Sequence, residues 1–187
     1  MKDYQLSAIL DQIWEALQKA TSIPNHPLRF PTLCTCHESR SRGRTVVLRQ
    51  VLRSHRSLRC YTDARSIKIT ELRANPVTEW VFHDCTERIQ IRARGQTVIH
   101  HGNQVARNAW DQTPAQNKVN YTLAASPGTR IDCPDANPPV STYADGRHFS
   151  IIEATIDRLD WLQLDNPWHR RAEFRHETQW EASWIAP

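Results

Sequence analysis

The spacing of hydrophobic residues changes along the chain, and the first segment has the period of a helix. Between residues 3 and 20 an apolar side chain recurs every three or four positions, which predicts an amphipathic helix with one buried stripe. The stripe consists of Leu6, Ile9, Leu10, Ile13, Trp14 and Leu17. Two prolines in the segment SIPNHP, residues 22–27, end this helix.

After residue 30 the apolar residues fall in short runs that are typical of β-strands, separated by polar segments such as ESRSRGR and RSHRS. The predicted strands cover residues 30–36, 45–52, 58–62, 77–82, 89–99, 149–164, 171–175 and 179–185. A short helix is predicted over 66–74, with Ile69 and Leu72 directed inward, and an interrupted helical stretch over 103–125.

Many short strands with a few helices indicate a mainly β fold with flanking helices, of the α+β class, arranged as a β-barrel or split barrel. Residues 126–147 contain four prolines and no apolar period, which predicts a long loop of the kind that is often functional. No segment has the composition of a linker. We therefore expect one domain over residues 1–187, with its N-terminal helix at about 3–20.

Arginine dominates the basic residues, because 20 of the 24 lysines and arginines are arginine, while the net charge is only +4. The planar guanidinium holds phosphate through two parallel hydrogen bonds, so the composition fits a phosphate-bearing ligand. A general preference for surface arginine explains the composition equally well. A nucleic-acid interface usually needs a concentrated basic face, and we therefore expect no nucleic-acid partner.

The apolar runs and the cysteines bear on location. No run approaches the roughly 18 apolar residues that a spanning helix needs, and Asp3 and Gln5 interrupt the apolar core of a signal peptide. We therefore expect a cytoplasmic protein with no membrane partner. Five cysteines without a CxxC pair then predict buried, reduced thiols. His100 and His101 are neighbours that a strand directs to opposite faces, so we expect no metal site.

The few glycines exclude several nucleotide-binding folds. Only five occur, and neither GxGxxG nor GxxxxGK[ST] can be built from them, which argues against a Rossmann fold and a P-loop. The GxSxG elbow of α/β-hydrolases is also missing. Any phosphate must therefore be held by side chains and a helix N-terminus.

Three segments supply residues suited to binding a phosphate. The first, RTVVLR at 44–49, is predicted as a strand with arginine at both ends. The second, YTDARSIK at 61–68, runs from a strand into a helix, so that Arg65, Ser66 and Lys68 surround free backbone N–H groups. The third places Gln90 and Arg92 on one face of the next long strand. Each segment alone also fits an ordinary strand edge or a capped helix.

In order and spacing, these segments resemble the pyridoxamine 5′-phosphate oxidase-like family of FMN-binding split barrels. The family has an R-x-V-L-L-K strand, a YT…SRK turn and a Q-V-R-type strand, which correspond to RTVVLR, YT…SIK and Gln90-Ile91-Arg92. A later Trp and an H-x-R correspond to Trp161, His169 and Arg171. The resemblance extends from about residue 30 to the end of the chain.

The resemblance implies an FMN cofactor and a homodimer with the flavin at its interface. Arg44 and Lys68 would hold the phosphate with Ser66 nearby, and Arg65 stands two residues before Ile67, which replaces a family arginine. Other positions implied at the cofactor are Val46, Val47, Arg49, Tyr61, Thr62 and Gln90, with Trp161 and Arg171 from the second subunit.

The residues that bind substrate in the family's oxidases are poorly matched. Their lysine is Arg49, the arginine of R-x-H is Pro167, and only His169 remains of that motif as a substrate contact. Their arginine before proline is Thr113. We therefore expect an FMN-dependent oxidoreductase of unknown small-molecule substrate. The alternatives are a genuine pyridoxamine 5′-phosphate oxidase, a non-catalytic flavin or haem module that uses His100 or His101, and an arginine-rich nucleic-acid binder.

Overall fold

The computed structural model describes residues 5–140, 145–165 and 167–187, and its centre is one antiparallel sheet. Nine strands lie within these residues: β1 (Thr32–His37), β2 (Arg40–Thr45), β3 (Gln50–Leu52), β4 (Ser57–Asp63), β5 (Val77–Asp84), β6 (Ile89–His101), β7 (Phe149–Gln163), β8 (Arg170–Arg175) and β9 (Glu181–Ile185). The fold is therefore mainly β, as predicted.

Four α-helices flank the sheet within the described residues: α1 (Leu6–Ser22), α2 (Ile67–Ala74), α3 (Gln104–Gln112) and α4 (Ala115–Lys118). The predicted start of the first helix at residue 3 falls in residues 1–4, which lie outside the described ranges. None of the helices in these ranges has the length and apolar character needed to cross a bilayer.

The long strand β7 organises the sheet. Its first half, from Phe149, pairs with β4, its second half pairs with β8, and β6 pairs along its whole length. The resulting strand order is β2-β1-β5-β6-β7-β4-β3, with β8 and β9 continuing from β7. Along this path the edge strands do not pair with one another, so the described sheet does not close into a complete barrel.

A bulge in β7 bends the sheet next to β6. The register shifts between Arg94 and Gly95, which pair with Arg158 and Ile156, so that Asp157 of β7 has no partner on β6. A Cβ atom built on Gly95 would lie 2.2 Å from the backbone oxygen of Thr155. Only glycine therefore allows the two strands to approach this closely at the bulge.

The apolar stripe of α1 packs on the interior face of this sheet. Leu17 is fully buried, and Ile9, Ile13 and Trp14 are nearly so. They contact one core cluster that also contains Trp80 and Phe82 from β5 and Phe174 from β8. Burying side chains of this size stabilises the fold by about 1.5–3 kcal/mol each.

The predicted strand over residues 45–52 is wrong in its boundaries. β2 ends at Thr45, residues 46–49 are irregular, and β3 starts at Gln50. RTVVLR is thus not one strand but a strand end followed by a bend, in which Val46 donates to the Pro31 carbonyl at 2.9 Å. The ESRSRGR segment, interpreted as a break, instead contains the largely exposed strand β2, whose polar residues hid its alternation.

Three other predictions need correction. The predicted interruption of the stretch 103–125 near Thr113-Pro114 is confirmed, but beyond it the chain forms only the four-residue α4 and the 3₁₀ turn Val119–Tyr121 and is not helical as far as residue 125. The last strand starts at Glu181 and not at 179, since Gln179 and Trp180 have positive φ. Among the cysteines only Cys60 is buried. Cys34 is partly exposed and the other cysteines are exposed, which contradicts the expectation of buried thiols.

Candidate functional site

The N-terminus of α2 brings together the phosphate-type residues of the second segment. The Lys68 ammonium donates to Oγ1 of Thr62 at 3.1 Å, and that oxygen lies 3.2 Å from Oγ of Ser66. Thr62 and Ser66 are buried, and within the described residues Lys68 has no ion pair. With Arg44 they form what is called here the phosphate cluster: Arg44, Thr62, Ser66 and Lys68.

Arg44 is held in place by hydrogen bonds to β1 and α2. Its Nη1 donates to Oγ1 of Thr35 at 2.7 Å and to the Leu33 carbonyl at 3.3 Å. Its Nη2 donates to Oε2 of Glu71 at 2.8 Å. A guanidinium has five N–H groups, so donors remain on Arg44 for a ligand.

The carboxylate of Glu71 is a residue that the sequence interpretation missed. It lies on the buried side of α2 and also accepts from Thr35 at 2.6 Å and from Arg42 at 3.0 Å. Burial disfavours its charge, but these hydrogen bonds and the two arginines together hold the pKa of Glu71 below its ordinary value. Glu71 is therefore an ionised carboxylate beneath two guanidinium groups.

The cluster is electrostatically prepared for an anion. Burial lowers the pKa of Lys68, and the nearby charge of Arg44 acts in the same direction. An anion beside Lys68 would relieve this repulsion. Ser66 is the N-cap of α2, yet its side chain makes no capping bond and the first turn contains no acidic residue. The first N–H groups of the helix thus add to the attraction for a negative group.

The neighbouring residue Tyr61 faces the other side of β4. Alternation along the strand separates it from Thr62, and its ring lies 4.9 Å from that of Phe149. Tyr121 and Trp110 complete a continuous aromatic cluster of Tyr61, Trp110, Tyr121 and Phe149, with ring centroids 4.9–5.9 Å apart. Burial raises the pKa of Tyr121 to about 12. Both tyrosines are therefore neutral donors at ordinary pH.

Two cations border the aromatic cluster. The Arg49 guanidinium lies 5.7 Å from the Tyr61 centroid, and its buried Nε has no hydrogen-bond partner in the described structure. The Lys118 ammonium lies 4.9 Å from the Trp110 centroid. A cavity of about 310 Å³ opens beside Trp110 and Phe149. A buried donor without a partner is costly, so Arg49 is suited to a ligand that supplies an acceptor.

Arg65, predicted at the phosphate, makes internal contacts in the structure. Its Nε and Nη2 donate to the two oxygens of Asp63 at 3.0 and 2.7 Å. Nη1 and Nη2 also reach the carbonyls of Ala124 and Leu123 at 3.2 and 3.1 Å. Every nitrogen of this guanidinium thus has a protein partner. Its role as a phosphate ligand stays a prediction.

The positions predicted to flank the flavin lie in two parts of the fold, the irregular segment after β2 and the start of β6. Val46 and Leu48 donate their N–H groups to Pro31 and Arg29, whereas the N–H of Val47 between them has no acceptor in the described part of the chain. Gln90 is half-buried at the start of β6, on the face of the sheet opposite Ile91. Their contact with a flavin stays a prediction.

The two residues assigned to a second subunit lie on opposite faces of the sheet. Trp161 pairs with Ala172 and is buried in the core, whereas Arg171 pairs with Leu162 and is partly exposed. Arg171 donates to both oxygens of Asp160, at 3.0 and 2.7 Å. His169 is exposed in the β7–β8 connection. One chain therefore does not bring these residues to the phosphate cluster.

Arg171 belongs to a row of ion pairs across the exposed face of the sheet. Arg92 bonds to Glu79 and lies 3.7 Å from Asp160, and Arg158 and Arg175 both pair with Glu173. This sheet-face network comprises Glu79, Arg92, Arg158, Asp160, Arg171, Glu173, Arg175 and Glu177. With Glu177, which lies 3.3 Å from Nη1 of Arg175, its four arginines face four carboxylates.

The histidines proposed for haem are engaged with protein groups. Nε2 of His100 lies 3.0 Å from Glu153 and its Nδ1 lies 3.1 Å from Asn103. Nδ1 of His101 lies 3.1 Å from the Phe149 carbonyl. In the residues that the structure describes, no group of three or more His, Cys, Asp or Glu could hold a metal ion.

Comparison with known families decides the identity of the cofactor. Residues 10–101 match the family described as pyridoxamine 5′-phosphate oxidase, FMN-binding domain. That range contains the whole phosphate cluster. The chain belongs to the pyridoxamine 5′-phosphate oxidase-like FMN-binding family. FMN is its cofactor, as predicted. A comparison with curated proteins found no match.

Solved structures share the fold of this family member. A pyridoxamine 5′-phosphate oxidase-related, FMN-binding protein from Nostoc punctiforme PCC 73102 is 21% identical, with a TM-score of 0.77 over 98% of this chain and 100% of that one. PhzG from Burkholderia lata 383, in complex with tetrahydrophenazine-1-carboxylic acid, is 13% identical, with a TM-score of 0.72 over 100% and 95%. The predicted split barrel is confirmed.

The phosphate cluster fits the phosphate of FMN. A phosphate monoester carries about −1.5 to −2 charges at neutral pH and offers three acceptor oxygens. Lys68, the remaining donors of Arg44 and the hydroxyls of Thr62 and Ser66 are matching donors. These residues would hold the phosphate, while the irregular segment around Val47 offers a backbone N–H close by in sequence.

Proposed function

We propose that this protein is an FMN-dependent oxidoreductase that acts on a small molecule as a homodimer, with the flavin between the subunits. The observation that supports it best is that Lys68, in a chain of the FMN-binding family, has no ion pair within the described residues and lies beside Arg44 at the N-terminus of α2. When bound, FMN supplies hydride chemistry, and the protein supplies binding, orientation and electrostatics.

Strand β4 would connect cofactor and substrate. Thr62 faces the phosphate cluster and Tyr61 faces the aromatic cluster, so one strand carries a residue to each side. On the aromatic side the buried Nε–H of Arg49 has no protein acceptor within the described residues, which suits a carbonyl-bearing substrate. The cavity beside Trp110 gives room for a small molecule and is lined by Arg107, Asp111 and Asp145 as well as by aromatic rings, so a neutral substrate with polar groups suits it better than an acid.

The dimer is supported by the apolar surface near β8 and β9. Trp168 is 79% exposed and Trp184 is 46% exposed, and aromatic residues in such positions are common in subunit contacts. Arg171 lies on β8 in the same region. A second subunit that covers this surface would carry its own Arg171 to the flavin.

Pyridoxamine 5′-phosphate is expected to be a poor substrate. Thr113, at the position of a family arginine, donates its hydroxyl to the Ala109 carbonyl at 2.8 Å and carries no charge. Pro167 has no side-chain donor. Loss of one charged contact costs about 1.5–3 kcal/mol, so losing two makes phosphate recognition marginal.

The test uses the FMN-loaded protein under anaerobic conditions with a panel of donors: reduced nicotinamide nucleotides, amines and pyridoxamine 5′-phosphate. We expect one of the other donors to bleach the flavin absorbance, and oxidation of pyridoxamine 5′-phosphate to stay below about 10⁴ M⁻¹s⁻¹ in kcat/KM. A higher value would make the protein a genuine pyridoxamine 5′-phosphate oxidase. Failure of every donor to reduce the flavin would favour a non-catalytic binding module.

A further inference from the structure

Arg42 and Arg44 converge on one carboxylate beside the phosphate cluster. They are two residues apart on β2, so their side chains leave the same face of that strand. Nη1 of Arg42 lies 3.0 Å from Oε1 of Glu71, and Nη2 of Arg44 lies 2.8 Å from Oε2 of the same group. The two guanidinium groups therefore flank one carboxylate.

We propose that Arg42 is a second guanidinium ligand of the FMN phosphate, beside Arg44 and Lys68. The inference rests on the proposed position of the phosphate at the N-terminus of α2. The Arg42 side chain is 49% exposed and has one hydrogen bond to Glu71, so most of its five N–H groups are open.

The other candidates for a second guanidinium are less suitable. Every nitrogen of Arg65 donates to Asp63 or to a carbonyl of residues 123–124. Ile67, the first residue of α2, is 55% exposed and carries no charge. Arg42, in contrast, can direct a free N–H toward the phosphate while it keeps its hydrogen bond to Glu71.

The charges also balance better with Arg42 included. Arg42, Arg44 and Lys68 provide three positive charges around the single carboxylate of Glu71, which leaves a net charge of +2. A phosphate monoester carries about −1.5 to −2 charges. Without Arg42 the net charge of these residues would be only +1, which is too small to balance the phosphate.

The experiment measures dissociation constants of FMN and riboflavin by flavin fluorescence for Arg42→Ala and for two reference variants. Arg40→Ala removes the same charge from the same exposed strand, and Lys68→Ala removes the cation at the centre of the cluster. Riboflavin has no phosphate, and its affinity together with Tm reports whether the fold is intact.

We expect Arg42→Ala to weaken FMN about three- to tenfold, since a half-exposed contact is screened, and Lys68→Ala to weaken it about ten- to a hundredfold. Arg40→Ala should change FMN affinity less than about twofold, and all three variants should bind riboflavin as the unaltered protein does. Unchanged FMN affinity in Arg42→Ala with a loss in Lys68→Ala would overturn the role of Arg42 alone. Unchanged affinity in both would overturn the position of the phosphate as well. Equal losses in Arg42→Ala and Arg40→Ala would contradict a specific contact.

Discussion

Two groups of arginines in this protein differ in how they are neutralised. In the sheet-face network Arg92 and Arg171 share Asp160, and Arg158 and Arg175 share Glu173. Arg92 also bonds to Glu79 and Arg175 to Glu177, so that four arginines face four carboxylates. At the phosphate cluster two arginines and Lys68 surround one buried carboxylate. An excess of cations over carboxylates in a partly buried place indicates an anion site, whereas paired arginines stabilise the sheet.

The comparison shows that arginine content alone does not locate the phosphate site. The high arginine content suggested a phosphate ligand, but most of the arginines described here are engaged with carboxylates or carbonyls. What distinguishes the phosphate cluster is that Lys68 donates to the neutral hydroxyl of Thr62 and, within the described residues, has no ion pair. Local charge imbalance therefore locates the site more sharply than the total of 20 arginines does.

The largest effect expected outside the phosphate cluster is on stability, from Asp160→Ala. Asp160 is 4% exposed, and its loss leaves Arg171 and Arg92 without their shared acceptor. We expect the free energy of unfolding to fall by about 1–3 kcal/mol, less than for a fully buried pair because the arginines are partly exposed. Urea denaturation measures it.

Asp132→Ala, at an exposed position, serves as the matched control and should leave the urea midpoint unchanged. Asp160→Ala should also keep the preference for FMN over riboflavin, because the phosphate cluster uses other residues. A variant with normal stability that has lost this preference would reverse the roles assigned to the two groups.

A smaller effect is expected from pH. Lys68 binds phosphate in its protonated form, and burial lowers the pKa of Lys68 from the ordinary 10.5. The preference for FMN over riboflavin should therefore be complete below this pKa and decline as pH rises through it, earlier than for an exposed lysine. Taking the ratio of the two affinities cancels ionisation of the flavin ring, which both ligands share.

Titration of both ligands across the alkaline range measures this decline. Lys68→Arg, which stays charged, should keep the ratio constant over the same range. A ratio that falls equally in the unaltered protein and in Lys68→Arg would show that another group titrates.

Much of the fold followed from the sequence because apolar periods mark buried faces. The stripe of α1, the alternation of β6 and the inward Ile69 and Leu72 of α2 were all predicted and are confirmed. Strand β2 was not predicted, because a strand with both faces largely exposed has no apolar alternation.

The candidate site was predicted in part. The spacing of Thr62, Ser66 and Lys68 around a helix start was sufficient to bring them together. Glu71 was missed because a carboxylate in a short helix usually faces solvent, and only the tertiary position of β1 and β2 buries it. The alternating arginines of RSRGR were the available signal for Arg42. The internal contacts of Arg65 depend on residues 123–124, nearly sixty positions away, which no local pattern contains.

The central claim is that the phosphate cluster holds the phosphate of FMN, and ligand selectivity of the unaltered protein tests it most directly. Equilibrium titration with FMN, riboflavin and FAD, followed by flavin fluorescence, gives three dissociation constants. Two or more charge-assisted contacts predict that FMN binds at least about a hundredfold more tightly than riboflavin, and also more tightly than FAD. Equal affinities for FMN and riboflavin, or tight binding of FAD without binding of FMN, would contradict the account.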